Sequence, residues 1–192
     1  MADDPALVMR TPLDGVLLIT PASYRDERGL VLERYRFERY QHAGIMRPFV
    51  QDNVTQSMRG VVRGLHFQIG APQDKLVDVS RGAIWDVAVD LRPGSPSFGE
   101  WFGADLSEDN RTQMFIPAGF AHGYAVTSAI ADVHYKFTEY HRPEAAHGVA
   151  WDDPAIGITW PKLGPPILSA RDRAHPRLFE LTDALLSSFR FQ

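Results

Sequence analysis

The residues of this chain best suited to chemistry are a histidine, a tyrosine, a lysine and an aspartate. His66 lies near the end of the stretch RGVVRGLHFQ (59–68), where two arginines, two glycines and the imidazole alternate with Val, Leu and Phe. Tyr135 lies in VHYKFTEY beside Lys136, Lys75 opens KLVDVSRG, and Asp172 lies in LSARD. Brought together, they would make a proton-transfer site. An imidazole oriented by a carboxylate is a competent base near neutral pH. A phenol can return a proton from the opposite side, and a lysine near the reacting oxygen stabilises developing negative charge. Taken singly, each has a plain structural reading: a tyrosine at the edge of the core, a solvated lysine, a loop carboxylate.

Seven histidines must be sorted. His42, His147 and His175 fall in loop-like contexts, and His134 and His141 bracket the tyrosine-rich strand. His66 and His122 stand apart. Arg63 precedes His66 by three positions, which places the two on opposite faces of a regular strand; a kink or bulge at Gly64 would bring them to one side. His122 closes Pro117–His122, a P-x-G-x-x-H pattern that makes a rigid turn and then a histidine at a strand start. That pattern resembles the second motif of the cupin jelly rolls. A cupin invites a metal held by histidines from two strands. The first cupin motif wants His-x-His and then Glu, whereas this chain reads His66-Phe67-Gln68, with Asp74 in a loop as the next acid. Two histidines alone make a poor closed site. No metal is therefore expected, and a metal-dependent cupin oxygenase or isomerase using His66 and His122 stands as the alternative.

The elements that must position these groups read as strands. GVLLIT (15–20), LVLERYRF (30–37), PFVQDNVTQS (48–57), KLVDVSRG (75–82), EWFGADLS (100–107) and ADVHYKFTEYH (131–141) are strand-like, and TQMFIPAGFAHGYAVTS (112–128) reads as a pair. The stretch 83–99 has the cleanest alternation: Trp85, Val87, Val89 and Leu91 fall on one face, Ile84, Asp86, Ala88 and Asp90 on the other. Residues 1–14 read as irregular, PASYRDERG (21–29) as a polar turn, FERYQHAGI (37–45) as one short helical turn, and 151–166 as a proline-rich loop. Leu178, Leu181, Leu185 and Phe189 have helical spacing, so a C-terminal helix is expected over Leu178–Phe189. Many short strands with turn signals between them predict an all-β sandwich or barrel, a cupin-like jelly roll with a short C-terminal helix.

Composition bounds the partners. A length of 192 residues predicts one domain, and 44% hydrophobic residues are enough for a sizeable core. The formal charge of −4 carries no basic footprint, so no nucleic-acid partner is expected. No stretch approaches a membrane span, so no membrane partner is expected either. The start is acidic where a secretory leader would be basic, and cysteine is absent, which permits a reducing compartment; the expectation is a cytoplasmic protein.

The ordered blocks from DERG (26–29) to LSARD (168–172) resemble the dTDP-4-dehydrorhamnose 3,5-epimerases and related deoxysugar epimerases. They include QDN (51–53), RGLHFQ (63–68), KLV (75–77), WDVAVDLRPGSPSFG (85–99), IPAGFAHG (116–123), YKFTEY (135–140) and WDDPAIGITWP (151–161). The resemblance implies a jelly-roll homodimer that uses no metal or cofactor and takes a dTDP-4-keto-6-deoxyhexose. It implies His66 as base paired with Asp172, Tyr135 as proton donor on the other face, and Lys75 as the group that stabilises the enolate. It implies Arg63 and His122 as substrate contacts, and Gln51, Asp52 and Asn53 as polar cavity positions. Arg28 and Glu33 match the nucleotide end, to which residues 1–50 contribute across the dimer. Tyr24 and Tyr140 match aromatic positions near the base, and Arg171 stands where Lys is common. Ala146 replaces a common Glu, for which Glu144 or His147 would compensate, and Asp78 replaces a common basic residue. Relatives that invert only C3 or mainly C5 keep the same His, Asp and Tyr. A sugar-nucleotide binder without catalysis is the third reading.

Overall fold

The computed structural model describes residues 7–181 and 183–189. Its strands are β1 (Leu7–Arg10), β2 (Leu17–Thr20), β3 (Ser23–Asp26), β4 (Gly29–Leu32), β5 (Gln51–Met58), β6 (Val62–Gln68) and β7 (Lys75–Arg81). There follow β8 (Ala83–Asp90), β9 (Trp101–Ser107), β10 (Gln113–Ile116), β11 (Phe120–Val126), β12 (Ile130–Phe137) and β13 (Ala146–Gly148). Three short helices interrupt them, α1 (Phe37–His42), α2 (Ala170–Arg173) and α3 (Asp183–Leu186). The strands form two facing antiparallel sheets, ordered β1-β2-β10-β7-β12-β5 and β13-β6-β11-β8-β9, with β3 and β4 as a separate hairpin. This is the jelly roll that the strand spacing predicts. No described helix is long and apolar enough to cross a membrane.

Why the sheets hold is visible in three apolar clusters. The first lies between them and joins Val77, Val79, Met114, Ile116 and Val133 of one sheet to Ile84, Ala88, Leu106 and Tyr124 of the other. The second covers the outer face of the five-stranded sheet, where Leu65, Phe67, Val87, Val89 and Leu91 meet Val149, Ile156, Leu186 and Phe189. The third packs Tyr40 and Ile45 over Leu17, Ile19, Leu76 and Phe115 on the outside of the six-stranded sheet. The β8 alternation is thereby explained: Ile84 and Ala88 face the interior, and Val87, Val89 and Leu91 face the outer layer. Both faces are buried, and every residue of β11 is buried.

The structure corrects four expectations. Residues 7–10 are a strand, β1, paired with β2 along the sheet edge. The stretch 21–29 is half of a hairpin, with Tyr24 opposite Val31. The strand expected over 30–37 ends at Leu32, because Tyr40 takes Arg34 O as its hydrogen-bond acceptor and α1 begins at Phe37. The C-terminal helix is broken into a 3-10 turn at Leu178–Glu180, then α3, then a 3-10 turn at Ser187–Phe189. Leu181 is extended between the first two, at φ −75° and ψ 119°. Leu178, Leu181, Leu185, Leu186 and Phe189 all pack into the second cluster, and their fit to the twisted sheet overrides the helical period.

One local feature sets the interior. Along β6 and β11, His66 lies opposite His122, but Arg63 lies opposite Tyr124, so β6 carries one extra residue in that interval. This is a bulge at Gly64–Leu65. Gly64 has φ +118°, and a Cβ there would lie 2.6 Å from Gly123 Cα and 2.8 Å from His122 O. Arg63 and His66 consequently face the same side, while Leu65 and Phe67 join the outer cluster. Replacing Gly64 by Ala imposes left-handed backbone strain and a backbone clash together, an expected loss of roughly 2–4 kcal/mol. Urea unfolding of the Gly64→Ala variant measures it, and an unchanged midpoint would contradict this account of the bulge.

Candidate active site

The interior is apolar at one end and opens at the other into a cavity of about 430 Å³. The five-stranded sheet contributes Arg63, His66 and His122, and the six-stranded sheet contributes Asn53, Lys75 and Tyr135. Segments after β12 close the rim with Ala146, His147, Ser169, Arg171 and Asp172.

His66 is half-buried, and its Nε2 lies 2.7 Å from Asp172 Oδ1. Asp172 is buried and sits in α2, whose N-terminus is capped by the Ser169 hydroxyl accepting from the Asp172 amide at 3.0 Å. An Nε2–H that donates to a carboxylate leaves Nδ1 as the ring nitrogen with a free lone pair. Burial lowers the His66 pKa against the opposing pull of Asp172, and Lys75 and His175 lower it further, so the imidazole is a neutral base at pH 7. Burial raises the Asp172 pKa, but the interactions of His175, His66 and Ser169 with its carboxylate outweigh that, and the group stays ionised well below the usual range.

Lys75 is buried, and its Nζ donates to the His66 carbonyl at 2.8 Å. Burial lowers its pKa to about 8, against the attraction of Asp86. His122 is buried with its Nε2 2.6 Å from Asp86 Oδ1, a second imidazole–carboxylate pair. Burial raises the Asp86 pKa, and His122 and Lys75 hold it down. Tyr135 stands edge-on to His122, with ring centroids 5.8 Å apart, and beside Tyr124, whose hydroxyl is 2.9 Å from Thr55 Oγ1. Burial and then Tyr124 push the Tyr135 phenol well above its ordinary pKa, which keeps it protonated as an acid. Arg63 donates from Nε to Ser57 Oγ at 3.1 Å, which fixes its fork at the cavity wall. The arrangement sets a base and a phenol on opposing sheets across one cavity, with two cations at its walls.

The other residues singled out in the sequence divide. Arg171 reaches the rim and donates to Ala146 O at 2.6 Å. Gln51 lies just outside the lining, where its amide donates to Asn53 Oδ1 at 3.1 Å and its Oε1 accepts from the His141 amide. Tyr140 is exposed, and its carbonyl accepts from Gln68. Asp52 points to the opposite face of β5 and pairs with Lys136 at 2.6 Å, because successive strand residues alternate sides. Tyr24, Arg28 and Glu33 do not join this cavity: Arg28 pairs with Asp26 at the exposed hairpin turn, and Glu33 with Arg39 at 3.2 Å. Asp78, the acid in place of a common base, faces away from the cavity and pairs with Arg34.

Sequence reasoning missed Asp86 as a site residue and left His175 among the loop histidines. Asp86 carried a signal, a carboxylate inside the most regular apolar alternation of the chain. A shared metal between His66 and His122 is not supported by the donor set, because Asp172 and Asp86 each engage one of the two. Potential ligand atoms, one each from His66, His175 and Asp172, lie within 4.8 Å of one another. The 2.7 Å hydrogen bond already closes that group, and we assign it no metal.

Lys75 gives a pH test. Its folded pKa of about 8 is below its unfolded value near 10.5, so between these values the unfolded chain binds more protons. Stability from this group therefore rises with pH through that window, by up to about 1.4 kcal/mol per pH unit. The stability difference between the wild type and Lys75→Met, measured by urea unfolding from pH 7 to 10.5, should grow in favour of the wild type. A flat difference would show that Lys75 is not buried as a cation.

Comparison with known proteins agrees with this geometry. Residues 10–180 match the dTDP-4-dehydrorhamnose 3,5-epimerase family. The chain is 50% identical over 167 residues to the dTDP-4-dehydrorhamnose 3,5-epimerase of Methanothermobacter thermautotrophicus, covering 86% of this chain and 90% of the relative. It is 41% identical over 175 residues to the dTDP-4-dehydrorhamnose 3-epimerase of Streptomyces niveus, covering 90% and 84%. Among solved structures it is similar to a dTDP-6-deoxy-D-glucose-3,5-epimerase of Legionella pneumophila in complex with dTDP-4-keto-L-rhamnose. There the TM-score is 0.93 at 44% identity, covering 97% of this chain and 99% of that one. The fold, the match across nearly the whole chain and the cavity agree: this chain is an isomerase-class enzyme and belongs to the dTDP-4-dehydrorhamnose 3,5-epimerase family.

Proposed function

We propose that the chain inverts C3 and C5 of a dTDP-4-keto-6-deoxyhexose through enolate intermediates. The observation that carries this is the placement of His66 and Tyr135 on opposing sheets of one cavity. A 4-keto group acidifies the hydrogens on both neighbouring carbons. His66 removes a proton from one face, with Asp172 holding its tautomer and stabilising the imidazolium. The Lys75 ammonium stabilises the enolate oxygen. Tyr135 returns a proton to the opposite face, and the carbon is inverted. The substrate's oxidation state is unchanged, so the step balances without a redox partner. Arg63 supplies bidentate donors to substrate oxygens, with His122 and Asn53 as further contacts. The Legionella relative, solved with dTDP-4-keto-L-rhamnose, supports the substrate class.

Residues 1–50 act across a homodimer in this proposal. Arg28 and Glu33 lie on or just after a hairpin whose Leu30 and Val31 are exposed, and we place them at the nucleotide end of the partner's cavity. Gln51, Asp52, Tyr24, Tyr140 and Arg171 complete the proposed substrate set. The Streptomyces niveus relative is named a 3-epimerase at 41% identity, so inversion of C3 alone is the second reading.

Incubation with dTDP-4-keto-6-deoxyglucose in deuterated water should place deuterium at both C3 and C5. Label at C3 alone would establish the 3-epimerase, and label at neither would refute the proposal. His66→Ala should lower exchange about a thousand-fold while nucleotide binding persists. Tyr135→Phe should slow inversion more than exchange; equal loss would remove Tyr135 as the second-face acid. Exchange should fall above pH 8 as Lys75 loses its proton. Sedimentation analysis should give a dimer, and Arg28→Ala should raise KM with little change in kcat. A stoichiometric transition metal in protein purified without chelator would favour the metal-dependent alternative instead.

A further inference from the structure

The proposed mechanism gives no role to His175, whose ring lies against the His66–Asp172 pair. The His175 side chain is 8% exposed, and its Nε2 has no hydrogen-bond partner among the described residues. The nearest charged atom recorded for that nitrogen is Asp172 Oδ1 at 3.5 Å, the same oxygen that lies 2.7 Å from His66 Nε2. The His175 ring also stands edge-on to His66, with centroids 5.5 Å apart and planes at 80°. Its seat is cut into the backbone of β13. A Cβ on Gly148 would overlap the His175 ring, lying 2.5 Å from Cε1 and 2.6 Å from Cδ2. Gly148 is in turn the cross-strand partner of His66. One short strand thus holds both imidazoles against one carboxylate.

We propose that His175 is a positioning residue for the base: it divides the Asp172 carboxylate between two imidazoles and so sets the basicity of His66. The inference rests on the reading of His66 as the base. Three effects of His175 act in one direction. It competes for the oxygen that would stabilise protonated His66, it repels that proton when itself charged, and it excludes water from the pair. Its removal should therefore make His66 more basic. The other charged or titratable groups around the two rings are Arg63 on β6, Asp172 and Arg171 on α2, Lys75 on β7, His122 and Tyr124 on β11, Tyr135 on β12, His141 after β12, His147 on β13, and Glu180 on the following 3-10 turn. All of these remain in a His175 variant, and Lys75 continues to oppose protonation of His66.

The test compares the wild type with His175→Ala, Gly148→Ala and His175→Gln. Gly148→Ala displaces the ring without altering any ionisable group, and its backbone conformation accepts a side chain. His175→Gln returns an N–H near the Nε2 position. NMR titration of the His66 ring without substrate reads its basicity directly, and the pH profile of deuterium incorporation reads it in turnover. In His175→Ala and Gly148→Ala both readouts should rise by roughly half a pH unit or more, with KM little changed, and His175→Gln should move them back. If the variants stay folded by thermal melt and His66 titrates as in the wild type, the inference is overturned, even if turnover falls. If the wild type shows no deuterium exchange, the epimerase reading fails separately, and the NMR titration still decides whether His175 sets His66.

Discussion

The structure depends on how closely two backbones approach between β6 and β11. Gly64 and Gly123 each lack the Cβ that would strike the other strand: one at Gly123 would lie 2.7 Å from Arg63 O and 2.9 Å from Leu65 Cδ2. That contact makes room for the extra residue in β6. Without it, Arg63 and His66 would follow ordinary alternation, and one of them would point into the apolar layer outside the sheet. A guanidinium placed among Val87, Val89 and Leu91 would be costly to bury. The bulge therefore decides at once which residues face the cavity and which complete the core, so the cavity and the core place the same demand on these two glycines.

The second constraint is charge in a confined space. Asp86, Lys75, His122 and Asp172 are all buried, and none is left without an opposing charge or polar partner. Asp86 engages His122 through one oxygen while its other oxygen has no hydrogen bond among the described residues, and it still attracts Lys75. The compensation is incomplete by design of the site: Lys75 remains displaced to about 8, where it can gain or lose a proton near working pH. The apolar layers on both outer faces and between the sheets carry the stability that this end gives up. The division of the interior into a dry end and a charged end follows from the register. Tyr135 pairs with Asn53 on one side and Val77 on the other, so one row across β5, β12 and β7 runs from the polar wall to the apolar cluster.

The strands were legible where their residues are β-branched or aromatic and turns bound them, as in β7, β8 and β12. The proposed proton-transfer set was legible as residue types, and the resemblance linked them across the chain. What escaped has a physical pattern. β1 is four residues of LVMR, exposed throughout and without the apolar–polar alternation that marks a half-buried strand, and β3 is the polar SYRD. The C-terminal segment has helical spacing, yet Leu181 is extended because the sheet surface beneath it, not the helix period, sets where leucines fit. Asp86 was counted among one face of an alternation because pattern alone cannot distinguish a buried carboxylate from a solvated one. His175 was invisible for a related reason: its significance lies in Gly148, far away in sequence, which has no side chain at the point of contact.

Arg28 and Glu33 bear on the substrate in a different way. The cavity of one chain contains groups fit to move protons, but among its lining residues the arginines are Arg63 and Arg171. Arg63 is tied by Nε to Ser57, and Arg171 donates to Ala146 O, so neither guanidinium is wholly free for a diphosphate. The hairpin that carries Arg28 projects from the sheets with its apolar residues exposed and its arginine paired to Asp26 in solvent. An exposed pair of this kind contributes little to stability. Exchanging Asp26 for a phosphate would therefore cost Arg28 little, while burying Leu30 and Val31 against a second chain would be favourable. On that argument the hairpin's exposed apolar surface and its weakly held arginine have one explanation. In the proposed dimer the nucleotide end would be completed between two copies, and the proton chemistry within each.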